Sequence, residues 1–217
     1  MSTKENSFRY YFVIGALLIA VLLFAYFFRK SDSKPVYILP VYGPQTNKLT
    51  KSAIQHRVPD FSFTDQDGKQ VTQREIENKI VVVDYFFTTC QSICPIMSTQ
   101  MERVAKTFSI DDEILILSHT VNPETDSVQV LKQYAKLHSA DSKKWKFLTG
   151  NKADLYAMAR KGYLLNAEEG DGGEDDFIHT QNFALVDKQK RIRGFYDGTD
   201  SVEVSRLIND ILILKQE

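Results

Sequence analysis

Lys79 to Phe87 reads KIVVVDYFF, a nearly continuous run of apolar strand formers. A strand of this composition has no polar row to offer water, so both its faces must be covered by other parts of the chain. A second run of the same kind follows at Glu113 to Val121, EILILSHTV. Between them STQMERVAKTF, with the preceding Met97, places Met97, Met101, Val104, Ala105 and Phe108 at helical spacing; these are core contacts and not ligands. DFSFTDQDGKQVT alternates apolar and polar residues around Asp67-Gly68, a hairpin signal. Asn122-Pro123 ends the second run, and TDSVQVLKQYAKLHS predicts a helix with Leu131, Tyr134, Ala135 and His138 on one side. Asn151 to Leu164 predicts another, with Leu155, Met158, Ala159 and Gly162 together. FALVD and RIRGFYDG read as strand, turn and strand, and Asp200 with Glu203 opens a last helix striped by Leu207, Ile208, Ile211 and Leu212. The alternation predicts an α/β fold: a central mixed sheet flanked by helices.

The chain of 217 residues has room for one ordinary domain and an appendage. Tyr10 to Phe28, YYFVIGALLIAVLLFAYFF, carries no charge, matches the length of a bilayer-crossing helix and is crowded with aromatics at both ends. A cleavable signal peptide has a shorter apolar core and a small-x-small site, which RKSDSKPVYILP lacks. The expected organisation is a tail at 1–9, a transmembrane anchor at 10–28, a Pro-rich tether at 29–55 and a globular domain at 56–217. Lys4 and Arg9 oppose Arg29, Lys30 and Lys34, so flanking charge alone does not place the domain on either side. The short, arginine-poor N-terminus favours a bacterial inner membrane over an organelle. A formal net charge of -1 gives no electrostatic reason for a nucleic-acid partner.

The two cysteines of the chain, Cys90 and Cys94, fall just past the carboxyl end of the first buried strand, where open α/β sheets place their sites. They are too few for a disulfide scaffold. If a helix begins after Thr89, the two stand on one helical face, within reach of a disulfide or of one soft ion, and a helix start favours the thiolate. Pro95 suits an early helical turn. The pair alone does not choose between redox cycling and metal binding.

A metal would want a further ligand. His56 lies at the tether boundary and reads as a solvated residue, and His138 reads as a helix-end residue suited to the dipole. His119 ends the second strand at the same sheet edge as Cys90 and is a packed residue or a ligand. His179 follows the acidic, glycine-rich loop Asn166 to Asp176 and precedes NFALVD, a good position for a ligand carried into a sheet-edge site. Two thiolates and an imidazole suit copper(I); zinc would need water or His119 as a fourth ligand, and magnesium and calcium are excluded by ligand type.

VVVDYFFTTCQSICP, VNPETDS, WKFLTG and DDFIHTQNFALVD together resemble the SCO/SenC family of membrane-anchored copper proteins, from about Arg57 to the C-terminus. The resemblance implies a thioredoxin-like fold, a copper ion held by Cys90, Cys94 and His179, and delivery of copper to the copper-receiving subunit of cytochrome c oxidase. It also implies a single-pass protein with its domain on the periplasmic side of the bacterial inner membrane, bound to the lipid bilayer through Tyr10–Phe28. For some members it implies thiol–disulfide reduction on partner cysteines, in which Cys90 and Cys94 are the catalytic residues and His179 tunes them. A thioredoxin-like binding module with inert cysteines is the third reading. Two departures stand out. Ile178 occupies the position where many members carry an aspartate before the metal histidine. No proline follows Pro123, so the cis-proline of general thiol oxidoreductases is missing.

Overall fold

The computed structural model describes residues 3–31, 37–44, 55–165, 173, 178 and 180–217. The chain divides into two units, one ending at Tyr37 and one spanning Ile38–Glu217. In the first, α1 (Thr3–Ser31) is a helix of 29 residues whose side chains are described from 12 to 26. Those side chains are apolar all round and open, Phe12, Leu17, Leu22 and Phe24 each more than half exposed. Among the described residues no helix is long and apolar enough to cross a membrane, and the ends of the expected span, Tyr10 and Phe28, lie outside the described side chains.

The second unit is built on β3 (Ile80–Phe86), every residue of which is buried. Its side chains alternate as the pleat requires. Ile80, Val82 and Phe86 enter one core layer, and Val81, Val83 and Tyr85 enter the other. Parallel to it runs β4 (Ile114–Thr120), and β5 (Trp145–Thr149) runs parallel to β4. The hairpin β1 (Ser62–Asp65) and β2 (Gln70–Thr72) adds to β5 on one side; β6 (Asn182–Val186) and β7 (Ile192–Asp197) add antiparallel to β3 on the other. The order among the described residues is β2-β1-β5-β4-β3-β6-β7, a mixed sheet of the thioredoxin-like kind. The hairpin turns where expected, with Gly68 at φ +76° and the Asp65 carboxylate accepting the N–H groups of Asp67 and Lys69.

One face of the sheet carries α2 (Ile93–Thr107), α3 (Val128–Leu137) and α5 (Ser201–Leu214). Met97, Met101 and Val104 of α2 meet Leu131 of α3 and Leu207 and Ile211 of α5 there. Burying each such side chain stabilises by roughly 1.5–3 kcal/mol. The other face carries α4 (Lys152–Ala157) and the turn after it. The stretch Asn151–Leu164, expected as one helix, instead widens into a π turn at Met158–Gly162, where Tyr163 N–H reaches Met158 O at 2.8 Å. Gly162 leaves room for the Met158 side chain, whose sulfur would lie 2.2 Å from an added Cβ and would have to move aside. Ile38–Pro44, part of the stretch expected as a tether, belongs to this unit: Leu39 is buried in the first core layer, and Tyr42 N–H bonds to Ile192 O at 2.9 Å.

Candidate metal centre

The chain leaves β3 at Phe86 and closes a turn in which Cys90 N–H donates to Phe87 O at 3.2 Å. α2 begins only at Ile93, after Ser92 in a non-helical conformation (φ −108°, ψ −92°) with no side-chain cap. The condition for placing both cysteines on one helical face, a helix beginning directly after Thr89, is therefore not met. Cys90 stands in the loop before the helix and Cys94 in its first turn. Pro95 lies in the same first turn, where a missing N–H costs nothing.

Both thiols are free and buried, with 9% of Cys90 and 3% of Cys94 exposed. Burial pushes the Cys90 thiol up, but hydrogen bonds outweigh it: the Cys94 thiol and backbone, and the Ser92 hydroxyl and backbone, all donate toward its sulfur, bringing it down to about 7. The Ser92 hydroxyl lies 3.6 Å from that sulfur. Cys90 thus sits against the open N–H groups at the start of α2. Cys94 goes the other way. Burial and its bond to Cys90 push it up to about 12.

Cys94 shares a narrow cleft at the carboxyl end of β3 with Phe87, Ile93, Val121, Ile178 and Thr180. His179 lies outside the described residues, as do Asp175 and Asp176; the residues on either side of it in the chain both line this cleft. Ile178, which replaces the aspartate of the resemblance, is 2% exposed and packs in the second core layer. Among the described residues no three metal-ligating side chains converge. Cys90 and Cys94 supply two donors.

The remaining histidines are placed elsewhere. His119 pairs with Tyr85 across β3 and β4 and points into the layer opposite the cysteines, stacked on Tyr85 at 5.0 Å and caged by Phe63 and Tyr163. It is a packed residue on the wrong face to join Cys90 and Cys94. His138 caps the end of α3, with Nδ1 2.6 Å from Glu102 Oε1. His56 is not a freely solvated residue: it is partly buried, with Nε2 2.9 Å from Gly162 O.

Asp84 is a neighbour that sequence reasoning passed over. It is 2% exposed on the cysteine side of β3, and the Ser118 hydroxyl, itself 2.8 Å from Trp145 Nε1, donates to it. Burial pushes its carboxyl up to about 7 against that hydrogen bond. Its charge opposes ionisation of Cys94. The signal was available in the sequence, as the one charged residue inside VVVDYFF.

The sequence profile of the SCO1/SenC family matches residues 50–212. The chain belongs to the SCO1/SenC family. It is 29% identical over 163 residues to the SCO1 protein homolog of Bacillus subtilis (strain 168), covering 74% of this chain and 84% of that one. The structure of BsSco, a member of the Sco family of cytochrome c oxidase assembly proteins in which a disulfide switch was identified, superposes with a TM-score of 0.63 at 28% identity, over 74% of this chain and 94% of that one. Bradyrhizobium japonicum ScoI with copper bound shares the fold, with a TM-score of 0.57 at 23% identity over 72% and 98%. This SCO1/SenC chain thus has the thioredoxin-like architecture, with its cysteine pair at the sheet end.

Proposed function

We propose that the domain is a copper chaperone that holds copper(I) as cargo between Cys90, Cys94 and His179 and passes it to the copper-receiving subunit of cytochrome c oxidase. The observation that carries this reading is the cleft: a free thiol on its wall, a second thiol bonded to the first, and the chain neighbours of His179 lining the same space. Two thiolates and an imidazole form a soft donor set matched to copper(I). Binding releases the thiol protons; oxidation of the pair to a disulfide removes both thiolate charges and expels the ion. Copper bound to Bradyrhizobium ScoI and the oxidase-assembly role of BsSco support the reading by kinship. The open apolar side chains of α1 support an anchor across Tyr10–Phe28 in the bacterial inner membrane, with the domain on the periplasmic side.

The test is an anaerobic copper(I) titration of the reduced full chain against a colorimetric copper(I) chelator. One ion per chain is expected, with His179→Ala weakening binding at least tenfold. An unchanged affinity in that variant removes His179 from the centre.

A second reading rests on the opposed shifts of the two thiols. A low Cys90 and a high Cys94 suit thiol–disulfide reduction. The Cys90 thiolate attacks a partner disulfide, one partner thiolate leaves, and Cys94, giving up its proton, attacks Cys90 and releases the second. The domain ends as the disulfide, two electrons poorer, and the partner as two thiols. His179→Ala retaining this reduction while losing copper would separate the roles.

A further inference from the structure

The backbone ladder between β3 and β4 ends where Val121 N–H donates to Phe86 O at 2.8 Å. Four residues later in the chain comes Cys90, and between them Thr88 is held by a side chain 38 positions away. Asp126 accepts the Thr88 N–H at 3.3 Å on one carboxylate oxygen and the Thr88 hydroxyl at 2.5 Å on the other. The oxygen that takes the N–H also accepts the Thr120 hydroxyl at 2.5 Å, and Thr120 in turn accepts the Asn122 N–H at 2.9 Å. Asp126 is itself fixed by a turn, its N–H donating to Asn122 O at 2.9 Å, immediately before the N-cap Ser127 of α3.

Both Asp126 and Thr120 are 0% exposed. A carboxylate so deeply buried costs free energy unless donors surround it. Among the described ion pairs it has no cationic partner; three donors from two other segments meet it instead. An amide in its place would present N–H₂ to one of those donors, so both oxygens are needed. A hydrophobic residue would fill the space without gripping the loop. The geometry fixes the cysteine loop to the end of β4.

We infer that Asp126 is a positioning residue for the cysteine pair: through Thr88 it holds the Phe87–Cys90 turn so that Cys90 faces Cys94. The inference deepens the proposed cysteine chemistry and rests on it only in its copper arm. A loop held in place keeps the two sulfurs at high effective concentration, which favours any product that joins them, whether a disulfide or a shared ion. Freeing the loop lowers that concentration. It leaves the sheet and its core layers as they are.

The experiment is a redox titration of the full chain against dithiothreitol for wild type, Thr88→Val, Thr88→Ser and Asp126→Asn, with thermal unfolding of each reduced protein. Thr88→Val removes the hydroxyl and keeps the volume. It is expected to lower the equilibrium constant for closing the Cys90–Cys94 disulfide about tenfold, a potential about 30 mV less negative, and to lower the unfolding midpoint as the buried Asp126 carboxylate loses a donor. Thr88→Ser is expected to restore it. Asp126→Asn is expected to shift it at least as far as Thr88→Val; should it fail to fold, the two Thr88 variants decide. A Thr88→Val potential within twofold of wild type overturns the inference, and so does a shift that Thr88→Ser fails to reverse. Copper(I) affinity is measured alongside. If wild type holds no copper, the metal reading fails while the redox arm still judges Asp126.

Discussion

Cys90 and Cys94 hydrogen-bond to one another and burial raises both thiols, yet they settle on opposite sides of the ordinary cysteine value, Cys90 down to about 7 and Cys94 up to about 12. The asymmetry comes from the start of α2, which falls between the two positions. Cys90 lies outside α2 and collects donors from its first residues, while Cys94 lies inside it, against the core. One sulfur is the charge and the other the donor.

Alkylation by iodoacetamide in the reduced, metal-free protein is therefore expected to label Cys90 first, with a pH profile centred near 7. Cys94→Ala removes a donor to the Cys90 sulfur, so the profile is expected to move up toward the ordinary cysteine value of about 8.5. Peptide mapping of the labelled protein across pH 5 to 10 measures both. Equal labelling of the two thiols at pH 7 contradicts the assignment.

Asp84 gives a stability signature of defined sign. Its folded value of about 7 lies above the carboxylate range, so the buried acid stays protonated while the unfolded one ionises. Its contribution is complete below about pH 4 and is lost as pH rises through 7. Asp84→Asn keeps an acceptor for Ser118 and cannot ionise. The variant is expected to match wild type near pH 4 and to exceed it at pH 8, by up to about 4 kcal/mol. Urea unfolding at the two pH values reads the difference; a variant less stable than wild type at pH 8 contradicts it.

The parts of this structure written in the sequence are those that local pattern controls. The runs at Lys79–Phe87 and Glu113–Val121 became β3 and β4 because continuous apolar strands admit one placement, the middle of a covered sheet. The cysteines fell at the sheet end for the same reason. β5 escaped notice because Lys146 interrupts its apolar residues and five positions establish no period. The start of α2 is not legible in the sequence, because Ser92 makes no side-chain cap bond and leaves no local mark of the boundary. Which sheet face received His119 was also hidden. Alternation groups it with Leu115 and Leu117, but only the packing of α2 and α4 decides which face the cysteines share. Asp126 is a loop carboxylate in sequence, and its inward turn depends on Thr88 arriving from the turn after β3 and Thr120 from the end of β4.

His119 is boxed by aromatic rings, with both ring nitrogens lacking hydrogen-bond partners among the described residues, and burial lowers it to about 3. Because the folded ring resists its proton, its stability is present above the ordinary histidine value of about 6.5 and is lost as pH falls toward 3. His119→Phe suits the cage and removes the titration. The variant is expected to gain about 3 kcal/mol over wild type at pH 4 relative to the difference at pH 8. Copper(I) affinity is expected to stay within twofold. A tenfold loss would return His119 to the metal centre.

Arg193 ties three segments together at the edge of the sheet. Its guanidinium, almost fully buried, donates to Asp187 at 2.9 Å, to Leu39 O at 2.7 Å, to Pro40 O at 3.0 Å and to Glu217 at 2.7 Å. Glu217 also accepts the Leu39 N–H at 3.1 Å, so the C-terminus and Ile38–Pro44 are clamped to β7 through one side chain. Removing the cation leaves buried acceptors facing each other, which costs about 3 kcal/mol. Arg193→Met is expected to lose that much in urea unfolding and to expose Ile38–Pro44 to limited proteolysis first. Burial raises Glu217, but its bond to Arg193 outweighs this and holds the carboxyl below its ordinary value. The clamp is therefore present above about pH 4.3 and is lost as pH falls through the lowered value. Cleavage in that segment is expected to rise in wild type on acidification and to be insensitive to pH in Arg193→Met; equal protection of both proteins at pH 7 would show that something other than Arg193 holds the segment.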